Sequence, residues 1–246
     1  MQQFYIDINA DLGEGIGNEA QLMPFISSCN IACGGHAGDE NTMREVVKLS
    51  KQYGVKIGAH PSFPDIENFG RLPVDMSCAA LFKSVENQIY NLKTIIEEEN
   101  ATLHHVKPHG ALYNMAIQDK KIATVIVEVM KRMHLPVFLY VPYGSVIEAV
   151  ATQHNIPIIY EAFADRNYNN NLTLVSRQDA NAVLYDEDAV FQHVFKMITE
   201  GKVKTLSGKD VEIKAHTFCI HSDTPKAIKL ANHLKHSLES KGIFIQ

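Results

Sequence analysis

Short apolar runs alternate with segments of helical periodicity along almost the whole chain. The apolar runs are typical of buried strands, and they predict seven strands, over residues 4–9, 28–33, 55–59, 103–106, 137–141, 158–160 and 217–221. Between these runs, apolar residues recur every three or four positions, which indicates amphipathic helices that face a core. Asp39, Asp119 and Asp186 stand where the N-terminal caps of three of these helices are expected.

The alternation of strand and helix predicts the fold class. Parallel strands that are buried on both faces need helices to cover them, which is the pattern of an α/β protein. Seven such units in 246 residues favour an irregular, TIM-like (β/α) barrel of about seven parallel strands over an open, doubly wound sheet. We expect one domain over residues 1–246, with a hairpin at 202–213 and a last helix capped by Thr224-Pro225.

Composition and charge exclude several classes of protein. The formal net charge is −5 and no long run has a single sign, so we expect neither a nucleic-acid partner nor a membrane partner. No apolar stretch approaches the roughly 20 residues of a membrane span, and residues 1–9 lack the features of a signal peptide. The four cysteines match neither a C-x-x-C pair nor a zinc ribbon, so we expect reduced thiols and a cytoplasmic location.

Polar side chains follow the carboxyl ends of the predicted strands. In a parallel barrel these ends share one face, and that face is where barrels build their active sites. The densest group is segment 104–114, which we expect to begin as a strand and to end as a loop that presents Lys107 and His109. The strand-end residues are Asn9, Asp11, His36, Asp39, His60, Lys107, His109, Tyr143, Glu161, Asp165, Arg166, His221 and Asp223. We therefore predict a single site on this face.

Two kinds of chemistry suit these residues, and both remain open. Aspartate and histidine are ligands for zinc and other divalent metals, and the candidate ligands here are Asp11, His36, His60 and His109. Alternatively, the same groups perform general acid–base catalysis, with Glu14 as the base and Asp11 or Asp223 orienting a histidine. In either case Lys107 would hold an anionic substrate or stabilise developing negative charge.

Seven sequence blocks, in order, resemble the LamB/YcsF family, and together they extend over nearly the whole chain. They lie at residues 7–15, 30–39, 57–61, 69–71, 106–113, 161–166 and 219–225, and they include D-I-N-A-D-L-G-E-G and V-K-P-H-G-A-L-Y. Three positions depart from the family pattern. Gly35, His216 and Ser222 stand where a bulky residue such as Phe, an Asp and a Gly are expected.

The resemblance implies an irregular (β/α) barrel related to the polysaccharide deacetylases. It also implies an ATP-dependent 5-oxoprolinase activity, which opens 5-oxo-L-proline to L-glutamate together with two further subunits of the B and C types. ATP with Mg²⁺ would then be the cofactor, and a bound divalent metal such as zinc stays open. Because the chain has no G-x-x-x-x-G-K-[ST] motif, nucleotide binding is expected to use another fold or another subunit.

For that reaction, the residues expected to be catalytic are Asp11, Glu14, His60, Lys107, His109 and Asp223. Those expected to bind substrate are His36, Tyr113, Glu161, Arg166 and His221. Lys107 and Arg166 would hold the substrate carboxylate or the phosphorylated oxygen. Asp223 would orient His221 or His36. Substituting Asp11 or His109 by Ala should abolish turnover and leave thermal stability nearly intact.

Two rival functions remain open on the sequence alone. The first is a stand-alone, metal-dependent amidohydrolase or deacetylase, which would bind metal stoichiometrically and need neither ATP nor partners. The second is a non-catalytic subunit that binds a small carboxylate and regulates a partner. The density of titratable groups at the strand ends favours an enzyme over this second alternative.

Overall fold

Parallel strands pair side by side around a ring until the last strand meets the first. The structure is a computed structural model that describes residues 4–246. Its strands are β1 Phe4–Leu12, β2 Ser28–Ala32, β3 Lys56–His60, β4 Leu103–Val106, β5 Phe138–Pro142, β6 Ile158–Phe163, β7 Lys202–Lys204, β8 Asp210–Glu212, β9 Thr217–Ile220 and β10 Ile243–Ile245. The order around the ring is β1, β2, β3, β4, β5, β6, β9, and β9 pairs in parallel with β1. The seven-stranded closed barrel predicted from the sequence is therefore confirmed.

Helices follow the strands and cover the outside of the ring. They are α1 Glu19–Leu22, α2 Glu40–Tyr53, α3 Cys78–Glu98, α4 Gly110–Ala116, α5 Lys120–Arg132, α6 Val146–Gln153, α7 Glu187–Glu200 and α8 Ala227–Ser240. The carboxylates of Asp39, Asp119 and Asp186 accept hydrogen bonds from backbone N–H groups in the first turns of α2, α5 and α7, as predicted. Within residues 4–246, the helices are too short or too polar to cross a membrane.

The interior of the barrel holds a network of buried amides in addition to apolar side chains. Asn30 on β2 donates to the side-chain oxygens of Asn9 (2.7 Å) and Asp11 (2.8 Å), both on β1. His105 on β4 donates through Nε2 to the side-chain oxygen of Asn30 at 2.7 Å. The ring of His105 fits only beside a glycine, because a Cβ on Gly58 would lie 2.0 Å from that nitrogen. These cross-strand bonds satisfy the buried polar groups and hold Asp11 in one orientation.

Several element boundaries differ from the prediction. β1 continues to Leu12 and β6 to Phe163, so Asn9, Asp11 and Glu161 lie inside strands rather than after them. The segment expected to be a loop after Lys107 turns into helix α4 at Gly110. The short strand β10, which pairs with the start of β1, was not predicted. The hairpin expected at 202–213 is confirmed as β7 and β8.

The expected cap of the last helix was also wrong. Helix α8 begins at Ala227, and the residue before it, Lys226, has a left-handed backbone with φ of 66°. Thr224 is not the cap, because its hydroxyl donates instead to the carboxylate of Asp165 at 2.6 Å. That bond ties the loop after β9 to the loop after β6, on the face of the barrel where the polar residues collect.

Candidate active site

Three histidines and a glutamate come together at the carboxyl ends of the first four strands. Glu14 follows β1, His36 follows β2, His60 ends β3, and His109 lies between β4 and α4. All four are buried, with at most 8% of their surface exposed. One oxygen of Glu14 lies 2.9 Å from His36 Nε2, 3.3 Å from His109 Nδ1 and 3.8 Å from His60 Nε2. Sequentially distant residues therefore form one compact cluster.

The ring hydrogen bonds fix how two of these histidines present their nitrogens. His60 donates through Nδ1 to the carbonyl oxygen of Lys107 at 2.7 Å, and His109 donates through Nε2 to that of Phe69 at 2.9 Å. In the neutral rings, His60 Nε2 and His109 Nδ1 then carry lone pairs, and these two atoms face each other at 3.0 Å. A bound cation, or a proton shared by the two nitrogens, would stabilise this arrangement.

The donor set of this cluster fits a divalent metal. The ligand atoms of Glu14, His36, His60 and His109 all lie within 4.8 Å of one another. Backbone carbonyls orient two of the imidazoles from behind, as at histidine metal sites. The second ring nitrogen of His36, Nδ1, is buried without a hydrogen-bond partner among residues 4–246. Nitrogen ligands with one carboxylate suit zinc or a similar ion. The structure brings Glu14 into this group in place of Asp11, which the sequence had suggested.

Burial favours the neutral form of two imidazoles of the cluster, His36 and His109. It lowers the pKa of His36, and it lowers the pKa of His109 well below the usual histidine value, with the neighbouring histidines adding to the effect. A metal binds the neutral ring, so this electrostatic environment favours metal binding near neutral pH. The loop over the rings leaves no room for further side chains, because a Cβ on Gly70 would lie 2.9 Å from His36 Cβ and 3.0 Å from His109 Cδ2.

Next to the cluster, Lys107 is a buried cation with fixed partners. Its ammonium lies 2.9 Å from an oxygen of Asp11, 2.9 Å from an oxygen of Glu161 and 3.0 Å from the sulfur of Cys219. Burial opposes its charge, but Asp11 and the other acidic neighbours outweigh burial and raise the pKa of Lys107 well above its usual value. A substrate anion at Lys107 would therefore have to compete with the Asp11 and Glu161 carboxylates for its N–H groups.

A second group of side chains has donor atoms that could bind a metal, and the Lys107 ammonium lies against this group. Asp11, Cys219 and His221 bring a carboxylate, a thiol and an imidazole within 4.8 Å of one another. Lys107 contacts two of these three side chains directly, so an ammonium lies where a second metal would otherwise bind. Burial raises the pKa of the Cys219 thiol well above its usual range, so that group remains a neutral thiol.

Glu161 and Tyr113 support this buried charge through a chain of contacts. The Tyr113 hydroxyl donates to one oxygen of Glu161 at 2.6 Å, and Asn9 donates to the other at 3.0 Å. Burial and then the charge of Glu161 raise the pKa of Tyr113 well above its usual value, so the phenol stays protonated. Both oxygens of Glu161 are thus engaged. Of these two predicted substrate-binding residues, Tyr113 lines the cavity described below.

A second histidine–carboxylate pair lies across the barrel mouth. His221 donates through Nδ1 to a carboxylate oxygen of Asp165 at 2.9 Å, and its backbone N–H donates to the other oxygen at 3.3 Å. Asp165 is fully buried. The expectation that Asp223 orients His221 or His36 was wrong, because Asp165 and Glu14 are their respective partners. Two features of the sequence could have indicated this role of Asp165, namely its place in the E-A-F-A-D-R block and its position just after β6.

A cavity of about 560 Å³ connects these groups. Among its lining residues are most of the predicted site residues, namely Asp11, Glu14, His60, Lys107, His109, Tyr113, Arg166, His221 and Asp223. Two further lining residues, Arg71 and Arg177, were not predicted. Arg166 donates to the backbone carbonyls of Ala182 and Val175, which fixes its guanidinium at the wall.

The departures from the family pattern at Gly35 and Ser222 lie outside the cavity lining. At Gly35 the space that a side chain would need is filled, since a Cβ there would lie 2.3 Å from both Ser62 Oγ and Gln88 Oε1. The side chain of Gln88 also bonds the backbone N–H and carbonyl of Ser62. The side chains of Ser62 and Gln88 therefore fill the space behind the histidine cluster that a larger residue at position 35 would need.

Comparison with known proteins identifies the family of the chain. The LamB/YcsF family model matches residues 6–246. The chain belongs to the LamB/YcsF family. A family relative from Shouchella clausii (strain KSM-K16), named as the A-type component of 5-oxoprolinase, is 43% identical over 98% of this chain and 97% of its own length. The crystal structure of a lactam utilization protein from Thermus thermophilus is 35% identical, with 99% of both chains covered and a TM-score of 0.93.

The barrel itself is shared more widely. A family 4 carbohydrate esterase from Streptomyces lividans is 11% identical and matches with a TM-score of 0.50 over 98% of this chain and 91% of its own. At that identity the likeness shows the fold alone. The LamB/YcsF chain therefore shares its barrel fold with this esterase.

Proposed function

We propose that this chain is the lactam-opening subunit of an ATP-dependent 5-oxoprolinase, which acts with two further subunits of the B and C types. The observation that carries the proposal is the pair of imidazole lone pairs facing each other at 3.0 Å, with Glu14 beside them, at the wall of a closed-barrel cavity. The relatives named for 5-oxoprolinase and for lactam utilization support the choice of substrate, a five-membered cyclic amide.

The need for ATP follows from the chemistry of the substrate. A five-membered lactam is an unreactive amide, and its opening at neutral pH needs activation. Phosphorylation of the carbonyl oxygen makes the carbonyl carbon more reactive toward water and couples ring opening to ATP hydrolysis. Because the chain lacks a P-loop motif, we assign ring opening to this chain, and the binding of ATP and Mg²⁺ to one of its partners.

A divalent metal held by Glu14, His36, His60 and His109 would polarise a substrate oxygen and lower the pKa of a water molecule. The carbonyls of Lys107 and Phe69 keep the ring nitrogens of His60 and His109 aimed at one point. The ammonium of Lys107 supplies a fixed positive field that costs no reorganisation during the reaction. Asn30 holds Asp11 between that ammonium and His60.

His221 is the proton carrier in this proposal. Its Nδ1–H donates to Asp165, so Nε2 carries the lone pair of the neutral ring, and the side chain lines the cavity. A histidine held in this tautomer by a buried carboxylate takes a proton at Nε2 and returns it to a leaving group. Accepting a proton from attacking water and delivering it to the ring nitrogen of the phosphorylated lactam would break the ring C–N bond and leave an acyl phosphate. A second water would then release phosphate and give L-glutamate.

The test is ADP release and glutamate formation on adding 5-oxo-L-proline, for this chain alone and with its co-purified partners. The proposal expects both products only with the partners and only with the lactam. His109→Gln should remove glutamate formation, whereas the control His236→Gln, on the exposed face of α8, should not. Turnover by the isolated chain without ATP would instead establish a stand-alone, metal-dependent amidohydrolase, the second candidate that the histidine cluster favours.

The non-catalytic alternative makes the opposite prediction for the same variants. A regulatory chain that binds a small carboxylate would leave glutamate formation unchanged when Asp11 or His109 is replaced. Metal content measured on the same preparations shows whether the cluster binds a metal. Bound metal that disappears with His109→Gln, together with lost activity, ties the cluster to the chemistry.

A further inference from the structure

Three loops from different parts of the chain meet at the mouth of the cavity through one carboxylate. Arg71 comes from the loop after β3, Arg177 from the loop after β6, and Asp223 from the loop after β9. Arg177 approaches Asp223 with both ends of its guanidinium, Nη1 to Oδ2 at 3.2 Å and Nη2 to Oδ1 at 3.5 Å. Arg71 Nη2 donates to Oδ2 as well. This two-pronged arrangement is how arginine recognises a carboxylate.

The mouth carries more positive charge than this one carboxylate neutralises. Arg166 also lines the cavity. Among residues 4–246, it donates hydrogen bonds to two backbone carbonyls and forms no ion pair. The nearby carboxylate of Asp165 is already engaged by His221 and Thr224. Burial, and then the charge of Arg177, lower the pKa of Arg166, as expected for guanidinium groups that crowd one another. An additional anion at this mouth would relieve that repulsion.

We propose that Arg71 and Arg177 form a carboxylate-binding subsite, that the side chain of Asp223 fills it in this structure, and that a substrate carboxylate displaces Asp223 from it. Lys107 is less suited to this purpose, since Asp11, Glu161 and Cys219 already engage its ammonium. The choice of a small cyclic carboxylic acid as ligand rests on the function proposed above. The subsite itself rests on the arginine geometry.

The subsite is physically connected to the histidine cluster. The guanidinium of Arg71 lies over the ring of Phe69, 4.8 Å from its centroid. That ring meets His36 and His109 edge-on, with centroids 5.2 Å and 5.5 Å away. Phe69 also accepts the Nε2–H of His109 with its carbonyl oxygen. A carboxylate anchored on Arg71 would therefore place the rest of a small ligand at a defined position relative to the cluster.

Isothermal titration of the folded chain with two matched ligands tests the subsite without requiring turnover. The ligands are 5-oxo-L-proline and 2-pyrrolidinone, the same ring without the carboxylate. Arg177→Gln should weaken binding of 5-oxo-L-proline by about tenfold to a hundredfold, the loss expected for a charged hydrogen-bond pair, and should leave binding of 2-pyrrolidinone unchanged. Asp223→Asn should tighten binding of 5-oxo-L-proline, because the competing internal carboxylate is gone.

The control is Arg44→Gln, which removes a surface arginine paired with Glu40, Glu98 and Glu99 on and beside α2 and α3. It should change neither affinity. If Asp223→Asn weakens 5-oxo-L-proline binding, or if Arg177→Gln leaves it unchanged, the subsite is refuted and Asp223 is a structural tie between loops. Thermal melting of each variant identifies an affinity loss that comes from unfolding.

The substrate assignment is separated from the subsite by titrating acetate and succinate in parallel. Arg177-dependent binding of these acids, with no binding of 5-oxo-L-proline, would preserve the subsite and contradict the proposed function. If none of the acids binds in an Arg177-dependent manner, the subsite itself is refuted.

Discussion

Replacing Lys107 by Met separates the role of a fixed buried cation from that of a substrate-binding group. The ammonium lies 2.9 Å from each of two buried carboxylates, on Asp11 and Glu161. Met keeps much of the side-chain volume and removes the charge. Leaving buried charges without their partner costs about 3–5 kcal/mol of unfolding free energy, and the presence of two carboxylates places the effect near the upper value.

Urea unfolding at pH 7, followed by circular dichroism, measures this cost. With a slope of about 3 kcal/mol per molar urea for a chain of this size, the midpoint should fall by about 1–1.7 M. Lys107→Met combined with Glu161→Gln should recover part of the loss, because one of the two orphaned charges is then neutral. The control Lys93→Met removes an exposed lysine paired with Glu97 and should cost less than about 0.5 kcal/mol.

The pH dependence of the deficit gives a second check. Burial raises the pKa of Asp11, but His60 and Lys107 outweigh burial and hold it well below the usual value. A depressed carboxyl pKa stabilises the fold above the unfolded-state value of about 3.9, and this contribution is lost as the pH falls through the folded-state pKa. Without Lys107 that contribution shrinks, so the deficit of the variant should stay nearly constant from neutral pH to about pH 4 and should become smaller as the pH falls below that value. A loss under about 1 kcal/mol, or one independent of pH, would refute the fixed-cation interpretation.

Three further predictions concern the metal, a buried histidine and the polar interior. His60→Gln should lower bound zinc, measured by mass spectrometry of the metal content, well below the wild-type stoichiometry, whereas His236→Gln should not. Burial lowers the pKa of His193 to about 4, so the unfolded chain, with a histidine pKa near 6.5, binds a proton first as the pH falls. In the wild type, His193 should account for up to about 3 kcal/mol of the stability lost between about pH 6.5 and pH 4. His193→Phe should therefore make that decline shallower, and an unchanged slope would contradict the lowered pKa of His193. Gly58→Ala should cost about 1–3 kcal/mol in urea unfolding because its Cβ would meet the His105 ring, and the same substitution in a His105→Ala background should cost clearly less.

The sequence predicted the barrel because the features that specify it are local. Apolar runs, helical periodicity and the aspartates at helix starts are all visible in short windows, and Asp39 and Asp119 cap helices as expected. Helix α4 was missed because it has only seven residues and begins at a glycine, which resembles a loop. The three residues of β10 carry too little pattern to be recognised.

The partners within the site were harder to predict because they depend on contacts between distant strands. Lys107 is followed by proline and resembles a residue that presents its charge, yet its partner carboxylates come from β1 and β6. Likewise Asp165 and Asp223 both follow strands, and sequence alone could not decide which one meets His221. The contact with Lys107 also changes one expectation, since Asp11→Ala should now reduce stability as well as turnover.

The most direct test of the central claim is glutamate formation by the assembled complex, supplied with ATP and 5-oxo-L-proline, in which this chain is either wild type or His109→Gln. His109 is one of the two histidines whose lone pairs face each other in the cluster. If ring opening occurs here, the variant should form glutamate at least about a hundredfold more slowly while it still assembles with its partners. Glutamate formation at the wild-type rate would place ring opening on another subunit and contradict the account.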